Sequence, residues 1–319
     1  CAQHLRREIS QSPQRIRMET NPLLTPSTLP FEAPPFDRIS DAHFKPAMEE
    51  GMRRHRAEIE AIATSTEPAS FENTIVAFER CGQDLARACG AFYNIAGAAT
   101  NEALQAIKAE MAPRLAAHND AITLDARLFA RVKALHDARG SLALDAVDAR
   151  LLERCYTRFV RAGALLDAEG KERMTRLNEE EAGLVARFEE NILKERADMA
   201  IVVDAEAQLV GMSTDAIEAA AVSAKEKGHP GKWLIDLRNT TTQPVLAELK
   251  DRALRERIMR ASLARNGRGN AWDNSALIAR LAQLRAEKAR LLGFATWAHF
   301  VMDDQMARSP ANAMALMGR

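Results

Sequence analysis

Apolar residues recur at helical intervals over most of the chain. Beyond Asp41, a natural cap, Phe44, Met48, Met52, Ile59 and Ile62 fall on one side of a predicted helix. A second segment starts near Ser70 and aligns Phe71, Ile75, Phe78, Leu85 and Phe92. A third covers about Glu102 to His136, and a fourth Ala143 to Gly163. The fifth is long, from Ala168 to Asp198, with Leu177, Leu184, Phe188 and Ile192 facing one way. Leu284, Leu291 and Leu292 belong to a sixth, which stops at Gly293 as a C-terminal glycine dictates.

Two stretches depart from this pattern. "MAIVVDAE" (199–206) and "KWLIDLR" (232–238) are β-branched or aromatic runs bounded by polar residues, and both read as strands. Between them Ser213 caps a further helix that Gly228 ends. After the second strand, Thr240 to Thr242 supply hydroxyls for a turn. Pro244 then fits the first turn of a helix that points Leu246, Leu249, Ala253, Leu254, Ile258 and Ala261 inward and finishes at Asn266-Gly267. The five prolines between Asn21 and Phe36 forbid a helix interior and predict an extended segment laid over a surface. The expected fold is mainly α, with a small β element near residues 200–238.

Composition narrows the function classes. With 319 residues, 47% of them hydrophobic, the chain can bury a large core or two smaller ones. Its 44 basic and 44 acidic side chains cancel, so no overall field draws it to nucleic acid or to an anionic membrane. No run of about 18 apolar residues and no basic-then-apolar leader is present. Residues 1–20, polar and basic, read as a disordered leader. Cys1, Cys81, Cys89 and Cys155 lack C-x-x-C spacing and read as reduced thiols in a cytoplasmic protein.

Candidate chemistry is sparse. Two histidines one helical turn apart with an adjacent Glu would hold zinc and poise a base, but none of the seven histidines has that spacing. His43, His55, His118, His136, His229 and His299 read as surface or hydrogen-bonded side chains, and His4 lies in the leader. The consecutive acids Glu179 to Glu181 point about 100° apart on a helix, which makes a solvated face rather than an acid/base pair. Asp303 and Asp304 read the same way. No glycine-rich phosphate loop and no G-x-S-x-G is present. The expected catalytic, cofactor and metal residues in this chain are therefore none.

The order of segments carries a resemblance. "NPLLTPSTLPFEAPPFDRI", "SFENTIVAFERCG", "RFVRAGALLDAEGKERMTRLNEEEAGLVARFEENIL", "GKWLIDLRNTTTQPVLAELKDRALRERI" and "LIARLAQLRAEKARLLGFATWAHFVMDDQMARSP" together resemble the N-terminal half of the thimet-oligopeptidase-like zinc metallopeptidases, on their bacterial peptidyl-dipeptidase side. The resemblance implies a helical fold split by a deep channel, residues 21–319 forming one wall of it, and hydrolysis of short unfolded peptides with release of C-terminal dipeptides. It also implies zinc, held in the complete enzyme by an H-E-x-x-H helix and a later Glu. No position here matches that motif, so this chain alone is expected to be inactive and to bind no zinc, its partner being the missing C-terminal half. The stop at "ANAMALMGR", inside what reads as another helix, predicts a continuing chain. Helix faces built to pack against that half would then be exposed, which predicts self-association. The competing expectations are a noncatalytic helical binding or scaffold protein derived from the same fold, and a fragment of an oligopeptidase A-like endopeptidase.

Overall fold

The computed structural model describes residues 21–319. Residues 1–20, with the expected leader, Cys1 and His4, lie outside the described residues, as do the side chains of residues 197–198 and 239–243. The chain divides into two compact units. One runs to Gly183 and resumes over Leu284–Arg319, and the other is Leu184–Gln283.

In the first unit the proline-rich segment is extended except for short 3-10 turns at Pro22–Leu24 and Pro30–Glu32. Leu23 and Leu24 are buried, and the buried Asn21 fixes the entry by donating from Nδ2 to the His43 carbonyl at 2.8 Å. α1 (Asp41–Ala63) follows Ser40. A π-helical stretch, Phe71–Val76, runs into α2 (Ala77–Arg80), and α3 (Gln83–Ala98) begins after Gly82. The sequence pattern joins these into one helix; the structure breaks it. Gly82 adopts φ 75°, and its N–H donates to Glu58 Oε2 at 2.7 Å instead of to the preceding turn.

A second break divides the expected third helix. α4 (Glu102–Thr123) ends and α5 (Ala126–Asp137) starts because the Asp125 carboxylate accepts the Arg127 and Leu128 N–H groups at 2.7 and 3.2 Å. α6 (Ala146–Ala162) is capped by Asp145 and closed by Gly163 at φ 105°. α7 spans Ala168–Asp198, as the periodicity predicts.

Two apolar clusters fill this unit. One gathers Leu23, Phe44, Met48, Ala88, Phe92, Leu104 and Met111, with the Phe44 and Phe92 rings edge to face at 5.3 Å. The other gathers Ile59, Ile62, Ile75, Phe78, Leu128, Val132, Leu152 and Phe159. α1 contributes to both. Gly51 on α1 lets α3 approach closely, since a Cβ there would lie 2.8 Å from the Leu85 Cα.

In the second unit β1 (Ile201–Val203) pairs antiparallel with β2 (Trp233–Ile235), Val202 opposite Leu234. α8 (Thr214–Glu226) connects them, with Ser213 as its cap. The buried Ile201, Val203, Leu209, Ile235 and Leu237 pack with Val245, Leu249, Leu254 and Ile258. The strands are shorter than expected, and the turn expected at Thr240 to Thr242 is helical backbone. α9 (Asn239–Glu248) places Pro244 in its interior, and the hydroxyls expected to make the turn lie outside the described residues. Asp251 starts α10 (Arg252–Leu263) by accepting the Leu254 N–H at 3.0 Å, so the expected single helix is two. Ile192, expected on the apolar stripe of α7, is 42% exposed.

α11 (Ser275–Leu291) closes at Gly293, φ 83°, where the Phe294 N–H reaches the Ala289 carbonyl at 2.8 Å. α12 (Trp297–Asp303) and α13 (Pro310–Met317) complete the first unit.

Candidate functional site

His43, His55, His118 and His299 make side-chain hydrogen bonds rather than a donor set. His43 Nδ1 accepts the Ser40 N–H at 3.1 Å, doing at the start of α1 what a Glu does in a capping box. His136 stacks on Tyr156 with ring centroids 3.8 Å apart. His55 and His118 form a pair that residue-by-residue screening misses, because 63 positions separate them. Arg56 Nε donates to His118 Nδ1 at 3.3 Å, so Nε2 carries the ring proton and donates to His55 Nδ1 at 3.1 Å. Burial, reinforced by His55 and Arg56, pushes the His118 imidazole down to about 4.

Among the described residues no group of three or more His, Cys, Asp and Glu is arranged to hold a metal ion. The His55–His118 pair offers two nitrogens already engaged with each other and a guanidinium at its back, an environment that repels cations. These residues do not fit a zinc site. Nor do the thiols fit a nucleophile, since burial pushes Cys81 and Cys89 up to about 11 and Cys155 up to about 12.

Two carboxylate readings need correction. Glu181 is not solvated: it sits between Arg285 Nε at 2.9 Å and Lys288 Nζ at 2.6 Å, and only Glu179 and Glu180 face water. Burial opposes its charge, but the two cations outweigh it and hold the carboxyl below its ordinary range. Asp304 is likewise engaged, by Arg154, whereas Asp303 stays mostly solvated beside Arg161, as expected. Asp120, buried and hydrogen-bonded by Asn178 Nδ2 at 2.8 Å, is pushed up to about 6 by desolvation.

A polar concavity lies in the first unit along α6. Arg154 grips Asp304 through both terminal nitrogens, and Arg161 reaches Asp303 at 3.2 Å and the Phe300 carbonyl at 2.9 Å while lying 4.2 Å from the Phe300 ring centroid. On either side of the Arg154–Asp304 fork opens a cavity, one of about 490 Å³ and one of about 520 Å³. Thr157 and Gln305 line the first, and Glu79 and Arg158 the second. The guanidinium of Arg154 and the other cations also hold the Asp304 carboxyl below its ordinary range. This surface presents charged and hydrogen-bonding groups; among the described residues it holds no acid and base poised against each other.

The second unit holds a pocket of about 500 Å³, where Ile192 and Leu237 meet Arg196, Arg238 and Arg265. At its floor the buried Glu195 accepts from the Asn266 N–H, from Arg268 Nε at 3.1 Å and from Asn270 Nδ2 at 3.2 Å. That carboxylate anchors the loop leading to α11 and is satisfied by it.

Comparison with known proteins adds what this geometry lacks. Residues 245–319 match Peptidase family M3. Across 93% of its length the chain is 43% identical to the dipeptidyl carboxypeptidase of Escherichia coli, and across 94% it is 42% identical to that of Salmonella typhimurium. Oligopeptidase A of Escherichia coli is 26% identical over 92% of the chain. The chain spans 44% of the length of either dipeptidyl carboxypeptidase and 43% of oligopeptidase A.

Proposed function

We propose that this chain, a relative of the dipeptidyl carboxypeptidases and of Peptidase family M3, is the peptide-guiding part of a zinc peptidase that releases dipeptides from the C-termini of short unfolded peptides. The observation that carries the reading is the 43% identity sustained over 93% of the chain, against 26% to oligopeptidase A. That gap favours dipeptide release over internal cleavage.

Zinc bound in the complete enzyme would polarise the scissile carbonyl and activate water. No residue described here holds it, so no step of the reaction is assigned to this chain. Its own contribution is orientation. Rigid helices bearing fixed charges restrict access to slender chains and hold them in a limited set of poses, which lowers the entropic part of the barrier. The α6 surface, with its arginines and hydrogen-bonding side chains, suits that role.

The reading puts the protein in the cytoplasm, where thiols as buried as Cys155 stay reduced. No helix among the described residues is long and apolar enough to cross a membrane. The test is the coding frame downstream of Arg319 together with an assay. An in-frame H-E-x-x-H supports the proposal, as does a 319-residue product that frees no dipeptide from an unblocked tetrapeptide in the presence of zinc. Dipeptide release by that product alone overturns it. A stop codon directly after Arg319 favours a noncatalytic binding protein instead.

A further inference from the structure

We propose that the arginine-lined trough along α6 binds acidic peptide segments in extended conformation. The proposal rests on the reading that this chain handles peptides, and it narrows that reading to one charge class.

Arg150, Arg154, Arg158 and Arg161 follow one another at steps of four, four and three residues, so they share one face of α6 over about 16 Å. The two cavities flanking Arg154 and Asp304 turn that face into one trough, and Arg308 lines its far side. Three of these arginines already have carboxylate partners: Arg150 holds Glu153, Arg154 holds Asp304, and Arg161 holds Asp303. Arg158 and Arg308 have none among the described residues, although both are exposed. Arg158 only overlies the Phe78 ring, at 5.5 Å. Each presents a planar fork of donors that matches a carboxylate.

Arg308 carries a second sign of purpose. It stands at φ 61°, in the left-handed region, where glycine is unstrained and an L side chain is not. A charged, unpartnered side chain is thus held at a turn that would form more readily without it.

The trough also discriminates between anions. Glu79, Glu153, Asp303 and Asp304 line the same cavities as the arginines. A nucleic-acid backbone carries a charge at every phosphate and would lie against these carboxylates. A peptide can set acidic side chains opposite Arg158 and Arg308 and neutral ones opposite the fixed ion pairs, while its backbone bonds to Thr157 and Gln305. An extended strand rises about 3.3 Å per residue, so about five residues fill the stretch from Arg150 to Arg161.

Isothermal titration calorimetry on the 319-residue protein tests this with three capped hexapeptides of one pattern, carrying Glu, Gln or Lys at alternate positions. The Glu peptide is expected to bind about tenfold more tightly than the Gln peptide, and more weakly as salt rises. Arg158→Gln and Arg308→Gln are each expected to weaken the Glu peptide about three- to fivefold and to leave the Gln peptide unchanged. Arg308→Gly, which relieves the strained turn, separates loss of the charge from damage to the fold and is expected to weaken the Glu peptide equally. Equal binding of Glu and Gln peptides overturns the acidic preference and leaves the peptide-handling reading standing. Failure of all three peptides to bind overturns both. An oligonucleotide of matched charge that binds more tightly than the Glu peptide also overturns the proposal.

Discussion

His118 and Asp120 lie two residues apart on α4, both 3% exposed, and they pull stability in opposite directions with pH. The His118 ring is held near 4 in the fold against 6.5 when free, so unfolding takes up a proton once the pH drops below about 6.5. Its contribution is complete above that value and is lost as the pH falls toward 4. Asp120 is raised to about 6 from 3.8, so its contribution is complete below 3.8 and is lost as the pH rises through 6. Urea midpoints measured from about pH 7 down to about pH 5 should therefore show the two effects partly cancelling. His118→Gln keeps a donor and an acceptor at the pair and should remove the histidine's loss of up to about 2 kcal/mol over that range. Asp120→Asn should steepen the fall instead. None of this is legible in the sequence, since neither the His55–His118 bond nor the Asp120–Asn178 bond joins neighbours along the chain. Charge adjacency also misleads at Glu181 and Asp304, whose partners lie 104 and 150 residues away. Apolar positions, by contrast, are legible one by one, because Phe44, Met48, Ile75, Phe78 and Phe92 need only a buried face, whichever neighbour supplies it.

At the scale of elements, the sequence shows where helices are and understates where they stop. Helical periodicity runs through Gly82 and Asp125 without a flaw. Glu58 takes the N–H of Gly82, and the Asp125 side chain takes two N–H groups of its own helix start. Asp125→Ala should lower stability by about 0.5–2 kcal/mol, read as a fall in thermal midpoint. The α1–α3 contact supplies a sharper test. At Gly51 an added methyl meets the Leu85 backbone, which cannot swing aside, and Gly51→Ala should destabilise by about 1–3 kcal/mol. Gly90 on α3 has nothing within 4 Å of the same added atom, so Gly90→Ala should stabilise by about 0.5–1 kcal/mol. The two substitutions are chemically identical, and opposite shifts in melting temperature would show that the neighbour sets the sign. The strands are legible in place but not in length: both fall inside their expected runs, and antiparallel pairing across the α8 connection keeps only three residues of each.

For the whole molecule, the helical class and the kinship are legible in the order of segments, while contacts made across long stretches of sequence, such as Arg154 with Asp304, are not. The expected exposure of apolar helix faces has a local counterpart. α13 buries none of its residues and leaves Met314, Leu316 and Met317 at least 64% exposed, with Met306 at 99%. A dye that fluoresces in apolar surroundings should light up on the native protein, and Met314→Glu with Leu316→Glu should dim it without changing the far-ultraviolet circular dichroism. A bright signal unaffected by the double substitution would place the sticky surface elsewhere. The first unit carries one more consequence, in the way α1 serves both apolar clusters. A rod of about 34 Å embedded at each end in a different core cannot loosen at one end in private. Amide protons near Leu23 and near Val132, though lodged in separate interiors, should exchange with deuterium through the same rare opening, and a single weakening substitution on the rod should quicken both clocks together.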